Sequence, residues 1–187
     1  MSTIPINWGK PWSPYFVFIK TTALTDGELL ATLGLASYVP IASVQSRYDY
    51  IAIGRDFCWT HVADNYGYSH WASKDFKDAV SRLCSRFEVF TFSVGEADMS
   101  FDFALYRDGQ RERHFVWEDH DYSGGRLSEQ SGLPLAGEEA IPCGKDPIYG
   151  LWHVASALGI ESDYTKLFMS LHAPTLQPPQ RPFLRKQ

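Results

Sequence analysis

Apolar residues recur along the chain at two spacings, and each change of spacing marks a new element. "YFVFIK", from Tyr15 just after Pro14, is short, aromatic and β-branched, which predicts a buried strand. In "TDGELLATLGLASY" the spacing turns helical, with Leu29, Leu30, Leu33 and Ala36 on one face. Thr25 stands as N-cap there and Glu28 completes a capping box, while Gly34 weakens the helix and Pro40 is expected to end it. "IASVQSRYDYIAIG" and "FCWTHVAD" predict two strands separated by Gly54, Arg55 and Asp56. In the second, Phe57, Trp59 and His61 point one way and Cys58, Thr60 and Val62 the other.

Ser73 can cap a helix over "KDFKDAVSRLCSRF", where Phe76, Val80, Leu83 and Phe87 form a stripe. "EVFTFSV" is a further strand, "GEADMS" a turn, and "FDFALYRDGQRERHFVW" a hairpin closed by Asp108-Gly109 in a type I′ turn. From Ser123 to Asp146 the chain is rich in Gly, Ser and Pro and is expected to be a long surface loop. "PIYGLWHVASALGI" and "SDYTKLFMSLH" then predict one or two C-terminal helices. Residues 1–14, with three prolines and two tryptophans, make an irregular arm, and residues 174–187 a frayed tail. The order predicts a single α+β domain over residues 1–187, with one mainly antiparallel sheet and helices packed on a face.

A net charge of -5 and a pI near 5.6, without a long basic run, argue against nucleic acid and favour a basic protein partner. Cys58, Cys84 and Cys143 are odd in number and lack C-x-x-C spacing, which fits reduced thiols in a cytoplasmic protein. "YFVFI" is far shorter than the roughly 20 residues a membrane helix needs, so no membrane partner is expected.

Extending the hairpin register from its turn sets Arg107 opposite Gln110, Tyr106 opposite Arg111, Ala104 opposite Arg113, Phe103 opposite His114 and Asp102 opposite Phe115. That register places Arg111 and Arg113 on one face with Tyr106, and His114 on the apolar face with Phe103. His114 then reads as a core or rim histidine rather than a catalyst. "EDHD", from Glu118 to Asp121, has side chains able to bind metal but not the spacing, since successive residues of an extended chain point to opposite sides. No G-x-S-x-G occurs, and "SGGRLSEQSG" matches no phosphate-binding pattern. No catalytic set, metal or cofactor is expected. The remaining signal is aromatic rings interleaved with acids in "DNYGYSHW" and "WEDHDYSGG": Tyr66, Tyr68, Trp71, Glu118, Asp119, Asp121 and Tyr122 are the candidate partner-binding residues.

"YDYIAIGRDFCWTHVADN", "SKDFKDAVSRLCSRF", "EVFTFSV", "FDFALYRDGQRERHFVWED" and "SGLPLAGEE" together resemble the scheme of small bacterial immunity proteins encoded beside polymorphic or type VI secretion toxins. The match runs from Tyr48 to Glu139 and includes a Trp-Thr element, a Tyr-x-x-Gly hairpin with basic residues and a G-x-P-L-x-x-E turn. The resemblance implies a cytoplasmic protein that binds and neutralises a cognate toxin by occluding its active site, with no catalytic residues to carry over. An acidic loop at Glu118 to Asp121 would suit a nuclease toxin, by mimicking its anionic substrate. Two alternatives stay open: a small hydrolase or transferase using His114 or His120 with nearby carboxylates, and a small-ligand module with a deep apolar pocket. An exposed edge strand could also pair with a second copy in a homodimer.

Overall fold

The computed structural model describes residues 15–42, 50–64, 74–95, 100–119, 125–141, 147–163, 167 and 169–174. Among them the strands are β1 (Tyr15–Ile19), β2 (Tyr38–Ile41), β3 (Ile51–Arg55), β4 (Thr60–Asp64), β5 (Val89–Val94), β6 (Phe101–Arg107), β7 (Gln110–Glu118), β8 (Arg126–Ser131) and β9 (Ser170–Pro174). The helices are α1 (Asp26–Thr32), α2 (Lys74–Cys84) and α3 (Pro147–Ala157), with a 3-10 turn at Glu138–Ala140. The strands form one open sheet in the order β2-β9-β3-β4-β1-β5-β6-β7-β8, and every neighbouring pair is antiparallel. The class is α+β, as the element order predicts.

β1 sits in the middle of this sheet, which is why its sequence is apolar without a break. Phe16 and Phe18 point to the face covered by α3, Val17 and Ile19 to the face covered by α1 and α2. The helices thus cover both faces rather than one. On the α3 side Trp152 meets Phe16, Phe18 and Phe92 edge-on at 5.2–5.8 Å between ring centroids, the geometry that ring quadrupoles favour. Leu29, Leu30, Phe76 and Leu83 fill the other side, and each such side chain contributes about 1.5–3 kcal/mol on burial.

Helix α1 begins as predicted. The Glu28 amide donates to Thr25 Oγ1 at 3.3 Å and the Thr25 amide to Glu28 Oε2 at 2.8 Å. It ends earlier than Pro40, however, because Gly34 takes a left-handed φ of 78° and closes a Schellman motif. The Gly34 amide donates to the Ala31 carbonyl at 3.1 Å and the Leu35 amide to the Leu30 carbonyl at 2.7 Å. The freed residues Tyr38–Ile41 form edge strand β2.

Three further expectations are corrected. The β3–β4 turn falls at residues 56–59 rather than 54–56, since the strands pair Arg55 with Thr60, and Phe57 leaves the strand for solvent. The stretch expected to be a loop from Ser123 to Asp146 contains β8, which pairs with β7; its six residues are all exposed, so it lacks the apolar alternation that reveals a strand. The stretch "SDYTKLFMSLH" was expected to be helical, yet it ends in β9, inserted between β2 and β3. There Met169, Leu171 and Ala173 form a cluster with Tyr50 and Ala52 while Ser170 and His172 face the other way, a period of two read as a helix because the run is short. The arm 1–14, Ser73 and the tail beyond Pro174 lie outside the described residues.

Candidate functional site

The site follows from how the β6–β7 hairpin is registered. Its turn is the predicted one, with Asp108 at φ 50° and Gly109 at φ 75°, both left-handed as type I′ requires. Tyr106 pairs with Arg111 as expected, but a bulge then leaves Glu112 unpaired and Leu105 meets Arg113. One extra residue inverts every side chain beyond it. Phe115 and Trp117 therefore join Phe101 and Phe103 in stacked pairs at 5.2–6.1 Å on the α3 face, and His114 moves to the opposite face, against Ala104. The predicted faces of Arg113 and His114 are exchanged.

Arg113 is only 1% exposed on the core face. Its Nε and Nη2 donate to the two carboxylate oxygens of Glu138 at 2.9 and 2.7 Å, and Nη1 donates to the Ser131 and Gly132 carbonyls at 3.1 and 3.2 Å. Nη2 also reaches Gln130 at 3.3 Å, and the Leu135 amide donates to Glu138 at 2.6 Å. The basic hairpin residue and the Glu of the G-x-P-L-x-x-E turn, two parts of the family resemblance, thus clasp each other. Their role is to tie the β8 return onto the hairpin.

On the opposite face the same strands carry a polar floor. Helices α1 and α2 cover the β3, β4 and β1 side, and beyond them lie Tyr15 on β1, Thr91 and Ser93 on β5, Asp102 and Tyr106 on β6, and His114 on β7. These residues share a face because Tyr15, Ser93 and Asp102 are directly paired across strands, as are Thr91, Ala104 and His114. All but Thr91 keep partial exposure. Ser93 Oγ donates to Asp102, the Thr91 hydroxyl bonds the Tyr15 phenol, and Glu129 of β8 holds His114 Nδ1 at 2.8 Å.

Burial raises the Asp102 carboxyl above the usual carboxylate range, against the opposing pull of the Ser93 hydroxyl and His114. Burial also raises the Tyr15 phenol, helped by the neighbouring Asp102 and Tyr106, and it raises Tyr106 with help from Cys84 and Asp102. Groups shifted together in one place are a mark of functional sites. Asp102 is also the single acid inside an apolar strand, and that was its signal in the sequence.

Two other polar clusters serve the fold. At the β3–β4 turn, Asp56 accepts from the Cys58, Trp59 and Glu161 amides at 2.8, 2.6 and 3.0 Å and pairs with buried His61 at 2.7 Å. Burial opposes the Asp56 charge, but these bonds outweigh it and hold the carboxyl well below the usual range. The turn so fixed presents Phe57, 96% exposed, beside an open depression of about 400 Å³ lined also by Ser156, Gly159, Ile160, Glu161 and Ser162. At the other cluster Asp26 joins Arg55 at 2.7 Å, Ser170, and His172 at 3.6 Å. Asp26 lies between Ser170 and His172, so the imidazole is not placed to activate the hydroxyl.

Among the predicted partner-binding residues, Glu118 points to the polar face and meets Arg126 at 3.4 Å. Asp119 turns to the other side; its amide donates to Ser100 Oγ at 3.1 Å and its Oδ1 is buried without a partner among the described residues. The two acids are therefore separated rather than joined in one patch. Tyr66, Tyr68, Trp71, Asp121 and Tyr122, with His120 and Cys143, lie outside the described residues. Asp64, the last described residue of β4, is paired with Tyr15. Cys58 is exposed, and burial pushes the Cys84 thiol up to about 11. Among the described residues no group of His, Cys, Asp and Glu could hold a metal, and no helix is long and apolar enough to cross a membrane. Comparison with protein-family models, curated proteins and solved structures finds no match.

Proposed function

We propose that this chain is a binding protein of the bacterial immunity type, which neutralises a cognate toxin by covering its active site in the cytoplasm. The observation that carries the reading is the half-face over β5 to β8, where partly exposed polar side chains lie on a rigid sheet beyond the helical cover. Such a surface suits a macromolecular partner, because the sheet fixes each group before binding and little ordering entropy remains to be lost. The resemblance over Tyr48 to Glu139 supplies the class of partner, and the acidic balance of -5 favours a basic one. Co-expression with the product of the adjacent gene should give a stable complex and restore growth to cells producing that product. A soluble product that neither binds nor is neutralised overturns the reading.

The second reading, a small hydrolase or transferase, is favoured by one observation. His114 is oriented by Glu129 and stands diagonally across the β6–β7 pair from Asp102, an arrangement able to move a proton.

A further inference from the structure

Asp102 is a partly exposed acid on the polar floor whose carboxylate is largely unsatisfied by the described residues. A carboxylate offers about four acceptor positions, and among the described residues only the Ser93 hydroxyl occupies one. Other acids of the same sheet end are met by cations: Glu88 by Lys20 at 2.9 Å and Arg107 at 3.1 Å, Glu112 by Arg107 at 2.7 Å, and Glu118 by Arg126 at 3.4 Å. No Lys or Arg among the described residues pairs with Asp102. Its neighbours are instead the hydroxyls of Tyr15, Thr91 and Tyr106 and the imidazole of His114, which Glu129 anchors from behind. Arg111 stands opposite Tyr106 on the same face and is engaged by Glu129 at 3.7 Å.

We propose that Asp102 is the seat of a guanidinium group, supplied by an arginine side chain of the bound partner. The partly exposed Ser93 hydroxyl is placed to accept an outer N–H group, and Tyr106, also partly exposed, lies on the same face. The inference rests on the reading of the chain as an inhibitor of a basic protein. Arginine fits better than lysine because its planar fork binds a carboxylate through two parallel bonds and stacks on aromatic rings, whereas an ammonium is a point charge that holds its water. Burial opposes the charge on this carboxyl when the seat is empty, and a bound cation favours the charged form, so binding should lower the pKa of Asp102. The titratable and charged groups around Asp102 on this face are Tyr15, Cys84, Tyr106, Arg111, His114 and Glu129.

The test uses the full chain with N-acetyl-arginine methylamide as probe, following the Asp102 side-chain carboxyl carbon by NMR. Saturable movement of that resonance is expected, with the N-acetyl-glutamine analogue silent and the probe's affinity lowered about tenfold or more in Asp102→Asn. Ser93→Ala should weaken it by a smaller factor. An unmoved Asp102 resonance, or equal binding to Asp102→Asn, overturns the site. Two outcomes separate the site from the function on which it rests. If the candidate toxin binds the unaltered chain and Asp102→Asn equally, the guanidinium seat falls and the inhibitor reading stands. If the probe titrates through Asp102 while no candidate toxin binds, the seat stands and the inhibitor reading falls.

Discussion

Arg113 and Asp102 belong to one hairpin and lie on opposite faces of one sheet, and they are treated in opposite ways. Arg113 is almost fully buried, with donors directed at Glu138, two carbonyls and Gln130. Asp102 keeps partial exposure and receives a single hydroxyl. A charge taken out of water needs partners at nearly every donor or acceptor to avoid a net cost. The first meets that condition within the chain, and the second does not. The comparison separates a device of folding from a device held ready for something outside.

The sharpest way to break the first half of the comparison is to remove Arg113. Arg113→Ala leaves Glu138 inside the fold without its cation and should destabilise the chain by about 3–5 kcal/mol, read from urea unfolding. Replacing both partners, Arg113→Met with Glu138→Leu, should recover most of that loss, because an apolar pair of similar volume avoids desolvating two charges. A loss below about 1 kcal/mol for Arg113→Ala would mean that the clasp is not what holds β8 and the following turn.

Asp102→Asn probes the other half and should act in the reverse direction. The folded-state pKa of Asp102 is raised above the unfolded value of about 3.9, so the folded chain binds that proton more tightly. Its stabilising contribution is complete below the unfolded pKa and is lost as the pH rises through the folded one. At pH 7 the ionised acid therefore costs stability, and the amide removes the cost. Tm should rise by about 2–4 °C at pH 7, on the order of 1 kcal/mol for a chain of this length, with the gain shrinking toward pH 3.5. A variant that melts lower at pH 7 would show that the carboxylate is better satisfied than its one bond suggests.

What was legible in the sequence follows the same division between inward and outward demands. Leu29, Leu30, Phe76 and Leu83 announce their helices because one face must be apolar, and Thr25 with Glu28 announces a helix start because orphan amides need partners. Asp108-Gly109 fixes its turn by backbone sterics alone. β8 was hidden because an exposed edge strand needs no apolar alternation, and its pairing is supplied by the Arg113 clasp, a contact between residues 25 apart in the chain. The bulge at Glu112 was hidden too, although Phe115 and Trp117 carried a hint: only an inverted register brings both rings to the face of Phe101 and Phe103. With it went the position of His114. The floor itself required knowing that β1, β5, β6 and β7 are neighbours, which no local pattern states.

The smallest expected effect decides between the two functional readings of that floor. Glu129 is 56% exposed on its side chain, so its pairing with His114 should be worth only about 0.2–1 kcal/mol, and His114→Gln should leave the unfolding midpoint nearly in place. Stability being almost unchanged, any functional loss in this variant reports on chemistry. If the imidazole moves a proton, turnover of a substrate should fall by about 10²–10⁴. If the floor is a docking surface, His114 is one contact beside Asp102, and toxin binding should weaken by much less than in Asp102→Asn. An affinity loss in His114→Gln that equals or exceeds the loss in Asp102→Asn would move the centre of the site from the unsatisfied carboxylate to the imidazole, and would undo the contrast between Asp102 and Arg113 from which the reading starts.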